Sequence, residues 1–162
     1  MSVRRNAVNV LLICRGNLCR SPMAMALLQS RLDREGLAGR VVVDSAGYYD
    51  WGPFPREAHP FARRAVQELC GSDMLAAHSA RRWSAGQVDR ATHILVAEAW
   101  MRTDFPAGKV MTLKEFGGEK GDVEDPYGGD YMEFLACAKE IQRLLEAGMP
   151  RIYVLLGLPS RP

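Results

Sequence analysis

The sequence is short of most features that mark a specialised class. Charge is nearly balanced, with 21 lysines and arginines against 19 acids for a net +2 at pH 7. Charge therefore gives no reason to expect a nucleic-acid partner. No apolar run reaches the roughly 18 residues that span a bilayer, so no membrane segment is expected. The opening MSVRRNAVNVLLICRGN has the charges and short apolar stretch of a secretory signal. It lacks the small-residue cleavage site, so a cytoplasmic protein is expected. Cysteine is sparse: Cys14, Cys19, Cys70 and Cys137 are too few and too scattered to staple 162 residues. They also offer no paired short spacings for zinc, because Cys14 and Cys19 have no matching second pair. No repeat and no linker divides the chain. One domain over 1–162 is expected, with 148–162 as a carboxyl-terminal extension to which the sequence assigns no role.

Ordinary globular ingredients are present, at 48% hydrophobic and 25% charged residues, enough for a real core. AVNVLLI (7–13) is apolar on both alternating faces, the pattern of a buried parallel strand. SPMAMALLQSRLDR (21–34) has helical spacing, with Ala24, Leu27, Leu28 and Leu32 on one face. Ser21 reads as its N-cap, Pro22 as its first helical position, and Gly36 and Gly39 as its end. VVVDSAG (41–47) is a second strand, followed by the aromatic, proline-rich loop YYDWGPFPREAHP. Further on come a helix over 61–69, a short helix over 84–90 capped by Ser84, and strands over 93–98 and 109–113. A long polar loop EFGGEKGDVEDPYGGD and a final helix over 130–147 complete the pattern. YVLLG in the tail reads as either an edge strand or a packed extension. Alternating strands and helices predict an α/β fold. It is a doubly wound sheet of four parallel strands with helices on both faces.

Chemistry concentrates in CRGNLCRSP (14–22), directly after the first strand. In a doubly wound sheet, ligands bind at the carboxyl ends of strands near helix N-termini. Backbone N–H groups of a loop curling into a helix form an anion cradle, and the helix dipole adds positive potential. A cysteine in that field is expected to be a thiolate at neutral pH. Arg20 offers the parallel donors that fit phosphate. Gly16 and Asn17 suit a tight loop because both tolerate left-handed backbone. A thiolate under a phosphate cradle with a bidentate arginine is a phosphoryl-transfer nucleophile.

Together with the VLLI before it, CRGNLCRSP resembles the signature of the low-molecular-weight protein tyrosine phosphatases. EDPYGGD (124–130) is similar to that family's second signature, and VDSAG (43–47) to its second strand end. The likeness runs in order over residues 7–147. It implies that Cys14 attacks phosphorus, that Arg20 clamps the equatorial oxygens, and that backbone N–H groups from Arg15 to Arg20 assist. Arg15, Gly16, Asn17, Leu18 and Cys19 would form the substrate-binding loop, with the Arg15 side chain at the rim. Ser21 would donate to the sulfur. Asn17, Ser45 and His78 would hold the loop in shape. Asp125 would protonate the leaving oxygen and then activate water. Tyr127 and Trp51 would wall the cleft, and Cys14 and Cys19 would form a protective disulfide. The resemblance implies no metal and no cofactor. The implied partner is a phosphotyrosine protein, such as a bacterial tyrosine kinase or its targets, met by a monomer or weak homodimer. Three positions depart from the pattern: Met25 in place of a glutamate, Glu98 in place of an aspartate, and Met101 in place of a polar residue. Alternatives remain. Phosphoarginine phosphatases resemble this loop but tend to carry threonine where Leu18 stands. Arsenate reductases use the same fold but need a further cysteine pair. A non-catalytic phosphate-binding or redox-sensing module would need neither thiolate nor acid.

Overall fold

The computed structural model describes residues 8–50 and 55–159. Strand β1 (Val8–Cys14) is buried on both sides except at Asn9. It pairs in parallel with β2 (Val41–Gly47) and with β3 (His93–Val96), and β3 pairs with β4 (Val110–Thr112). The sheet order is β2-β1-β3-β4. The chain leaves β1 toward one side of the sheet for β2, then returns past β1 to place β3. That reversal opens a crevice at the carboxyl ends of β1 and β3. It is where Cys14 ends its strand and Glu98 follows its own.

Alternation along β1 divides the core in two. Val8, Val10 and Leu12 face a large cluster made with helices α1 (Arg20–Arg34), α2 (Pro60–Cys70) and α5 (Tyr131–Leu155). Leu11 and Ile13 face a smaller one with Val88 of α3 (Ala85–Arg90) and with Met101 of a 3-10 helix (Ala99–Asp104). Helices therefore cover both faces, as the sequence pattern predicts. Met101 is completely buried in the second core. Among the described residues, no helix is long and apolar enough to cross a membrane.

Three readings of the sequence are corrected. Helix α1 begins at Arg20, Cys19 occupies the N-cap with no side-chain bond, and Pro22 stands third in the helix. The Ser21 hydroxyl is engaged elsewhere and caps nothing. Proline is tolerated in a first turn because that N–H has no helical partner there. Residues 113–116, expected as strand end and loop, form α4 (Leu113–Phe116), capped by Thr112 and Glu115 in a reciprocal box. YVLLG is not a strand. Helix α5 runs through Pro150 to Leu155. Pro150 removes a donor, but Met149, Ile152 and Tyr153 are buried in the main core. The Tyr153 hydroxyl also donates to Glu35. Gly148 makes this packing possible, since a Cβ there would overlap the Phe116 ring.

Candidate active site

Cys14 is 3% exposed at the end of β1, with its sulfur 3.0 Å from the Ser21 hydroxyl. The polarity of that contact follows from Asn17. Its Oδ1 accepts the Arg81 backbone N–H at 3.2 Å, so its Nδ2 points the other way. Nδ2 donates to Ser21 Oγ at 2.7 Å and to Ser45 Oγ at 3.0 Å. Ser21 Oγ is thus an acceptor toward Asn17, leaving its own proton for Cys14 at 3.0 Å or the Ala46 carbonyl at 3.4 Å. The shorter contact is to sulfur. Asn17 also holds the loop through its backbone. It is the one non-glycine with positive φ among the described residues, at 59°, and its carbonyl meets His78 Nε2 at 2.9 Å. Burial lowers the His78 pKa, against the opposing pull of that carbonyl. Because a carbonyl can only accept, the His78 Nε2 hydrogen is the donor in that contact.

The expected left-handed turn falls on Asn17 alone; Gly16 does not adopt it. Gly16 instead lies against Gly47, where a Cβ would sit 3.0 Å from the Gly16 carbonyl carbon and 3.0 Å from the Tyr49 oxygen. The Leu18 side chain packs at the edge of the main core, and its carbonyl accepts the His59 N–H at 2.9 Å. Cys19 is buried, and burial drives its thiol pKa strongly upward, with Cys14 and Asp125 adding to the rise. All four cysteines are free.

Arg20 is 1% exposed, an extreme position for a guanidinium. Nη1 donates to the Val123 carbonyl at 2.7 Å and Nη2 to Glu98 Oε2 at 2.8 Å. Its Nε is buried with no partner among the described residues. Asp125 Oδ2 stands 3.5 Å from Nη2, while Oδ1 accepts the Tyr127 N–H at 3.1 Å. The carboxylate is thereby fixed at the mouth, about one-third exposed. Tyr127 is 67% exposed, edge-on to His59 at 5.9 Å, and His59 in turn stacks on Phe134 at 4.4 Å. Trp51, the other expected wall, lies outside the described residues.

Glu98, noted in the sequence only as a departure, is central. Oε2 accepts from Arg15 Nε at 2.9 Å and Arg20 Nη2 at 2.8 Å. Oε1 accepts from Arg15 Nη2 at 3.0 Å and Trp100 Nε1 at 2.9 Å. Burial alone would raise its pKa. The donors from Arg15, Trp100 and Arg20 outweigh burial and hold it at about 2. The signal in the sequence was only an acid at the end of a strand; it is the pairing of β3 with β1 that brings Glu98 to the loop after β1. Trp100 is a second residue the sequence did not single out. It is 40% exposed and meets Tyr48 edge-on at 4.8 Å. The Arg15 side chain reaches the rim as expected, but is anchored there by Glu98 and lies 6.0 Å over the Trp100 ring.

Such a site can bind a tetrahedral oxyanion over a nucleophilic sulfur, with a carboxyl group poised on the outer side. A family model described as low molecular weight phosphotyrosine protein phosphatase matches residues 9–152. The chain is 36% identical over 152 residues to a probable low molecular weight protein-tyrosine-phosphatase EpsP of Ralstonia solanacearum, covering 90% of this chain and 97% of that one. It is 34% identical over 144 residues to a protein-arginine-phosphatase of Geobacillus stearothermophilus, covering 85% and 90%. A crystal structure of a low molecular weight protein tyrosine phosphatase from T. tengcongensis superposes with a TM-score of 0.81 at 28% identity, covering 90% and 99%.

Proposed function

The chain belongs to the low molecular weight phosphotyrosine protein phosphatase family, and from that premise we propose that it hydrolyses phosphotyrosine in proteins through a cysteinyl-phosphate. The observation that carries this reading is the Ser21 hydroxyl directed at the Cys14 sulfur at 3.0 Å. A hydrogen bond donated to sulfur favours thiolate both as nucleophile and as leaving group. Cys14 Sγ attacks phosphorus, and the S–P bond forms as the P–O bond to the tyrosine ring breaks. Asp125 gives its proton to the departing phenolic oxygen. Asp125 then takes a proton from water, whose oxygen attacks phosphorus and returns the thiolate. The buried Arg20 supports charge on the equatorial oxygens, its unpartnered Nε being a donor available to one of them. Backbone N–H groups of the loop supply further donors. We place the protein in the cytoplasm, where reducing conditions keep a nucleophilic cysteine free.

A second reading is phosphoarginine hydrolysis by the same steps, favoured by the 34% identity to a protein-arginine-phosphatase. Against it stands Leu18, whose apolar side chain offers a guanidinium no hydrogen bond. Phosphotyrosine, phosphoarginine and phosphoserine peptides, together with arsenate, assayed side by side, decide between the readings. Tyrosine-selective turnover with a trapped phosphocysteine at Cys14 is the expected result. Turnover confined to phosphoarginine would transfer the assignment, and activity abolished by EDTA would sink the mechanism.

A further inference from the structure

Resting on the phosphatase reading, we infer that Arg15 is a specificity-determining residue that selects phosphotyrosine flanked by an acidic side chain. Four donors fill both oxygens of Glu98, two of them from Arg15 and one each from Arg20 and Trp100. Glu98 is shared between the two guanidiniums, and Arg20 has Asp125 as a second carboxylate 3.5 Å away, whereas the ion pair of Arg15 is with Glu98. Arg20 is sealed in the interior, whereas half of the Arg15 side chain is exposed. Arg15 Nη1 has no partner among the described residues. Among the described residues the outer edge of the guanidinium is thus left without a partner, on a side chain that is half exposed at the rim of the loop.

This edge is held in place. The Nε and Nη2 bonds to Glu98 fix the plane of the group, and Trp100 lies 6.0 Å beneath it. Tyr48 packs edge-on against Trp100, and the Arg15 carbonyl accepts the Tyr49 N–H at 2.9 Å. A fixed guanidinium loses less rotamer freedom on binding than a mobile lysine, and its planar fork matches a carboxylate. Glu98 Oε2 joins Arg15 Nε to Arg20 Nη2, and Arg20 Nη2 is 3.5 Å from Asp125 Oδ2, which ties the Arg15 cation to the side of the mouth that holds the proposed acid. The polypeptide carrying the phosphotyrosine must pass on that side. The ligand chemistry is a carboxylate of Asp or Glu next to the phosphorylated residue.

The test uses paired phosphotyrosine peptides that differ only in Glu against Gln beside the phosphorylated tyrosine. Wild-type protein is expected to show a kcat/KM ratio of roughly two to five in favour of Glu, the range of a partly exposed ion pair. The ratio should shrink as salt rises through about 0.1 M, where screening acts over roughly 10 Å. In Arg15→Gln the ratio should fall to about one, while Arg15→Lys keeps part of it. Equal rates on the two peptides in the wild type would overturn the inference and leave the phosphatase reading intact. So would an Arg15→Gln variant that slows both peptides alike with the ratio preserved. Absence of turnover on both peptides would overturn the phosphatase reading, and this inference with it.

Discussion

At the floor of the site, Asn17, Arg20, Ser21 and Ser45 are each no more than 2% exposed, and every one is hydrogen-bonded. At its mouth, Tyr49, Trp100 and Tyr127 are between 40% and 67% exposed, and half of the Arg15 side chain faces water. Floor and mouth are separated by only a residue or two of chain at Arg15 to Asn17, yet they obey different rules. On the floor an unmet polar group costs its full desolvation penalty, so the geometry is locked. At the mouth water can replace any lost partner, so side chains there are free to serve selection. In the proposed mechanism the nucleophile and its clamp belong to the floor, and the mouth carries the acid Asp125 together with the side chains that meet the rest of the substrate.

That division can be broken in order of expected effect. Cys14→Ser should reduce turnover by roughly four orders of magnitude or more. Vanadate binding measured by calorimetry should persist; substantial residual turnover would remove Cys14 from the nucleophile's role. Asp125→Asn should lower kcat on phosphotyrosine about 10²- to 10⁴-fold. It should slow p-nitrophenyl phosphate far less, since that leaving group needs little protonation. Equal losses on both substrates would deny Asp125 the role of acid.

Asn17→Ala strands the Ser45 hydroxyl and the Arg81 N–H, removes one partner of the Ser21 hydroxyl, and places alanine in left-handed backbone. Destabilisation of about 3–4 kcal/mol in urea unfolding is expected. Asn17→Gly, which restores the backbone freedom alone, should recover about 1 kcal/mol of that. Glu98 gives the floor an acid limit. Its folded pKa lies near 2, below the ordinary 4.5. Between those values the unfolded chain binds more protons than the folded one. Glu98 therefore contributes stability that is present above about pH 4.5 and is lost as pH falls through about 2. The amount is on the order of 3 kcal/mol, and Glu98→Gln should flatten the stability curve across that window. The exposed rings of the mouth should respond least: Tyr127→Ala is expected to raise KM a few-fold, worth about 1 kcal/mol, with kcat nearly unchanged. A collapse in kcat would move Tyr127 to the floor.

What was legible in the sequence was whatever the chain encodes locally. Cys14, Arg20 and the loop between them lie in one short stretch, and the strand and helix that frame it carry their own periodicities. Asp125 was marked by the Pro126 and Tyr127 beside it. Glu98 and Trp100 were not read as site residues, because their place depends on β3 lying beside β1, and no local pattern states strand order. The length of α5 escaped for a related reason. Gly148 and Pro150 read as a helix end until the Phe116 ring, Ile152 and Tyr153 supply the packing that overrides them. Ser21 misled in the opposite direction. It has the right chemistry for an N-cap, but Cys14 and Asn17 engage its hydroxyl.

Gly47 faces Gly16 across the seam where β2 meets the loop, and its own backbone is pinned. Its N–H donates to the Arg81 carbonyl at 2.7 Å, and its carbonyl accepts from Trp83 at 3.0 Å. Any other amino acid brings a Cβ to 3.0 Å from the backbone of Gly16 and Tyr49, so that the loop must give way by a few tenths of an ångström. For the genetic code this makes codon 47 a costly one to change, since every missense change from glycine adds that carbon. A mutational scan scored on phosphatase turnover should therefore find a depleted column at 47 and a full one at 127. The boundary between such columns would trace, through tolerance alone, the line where the floor gives way to the mouth.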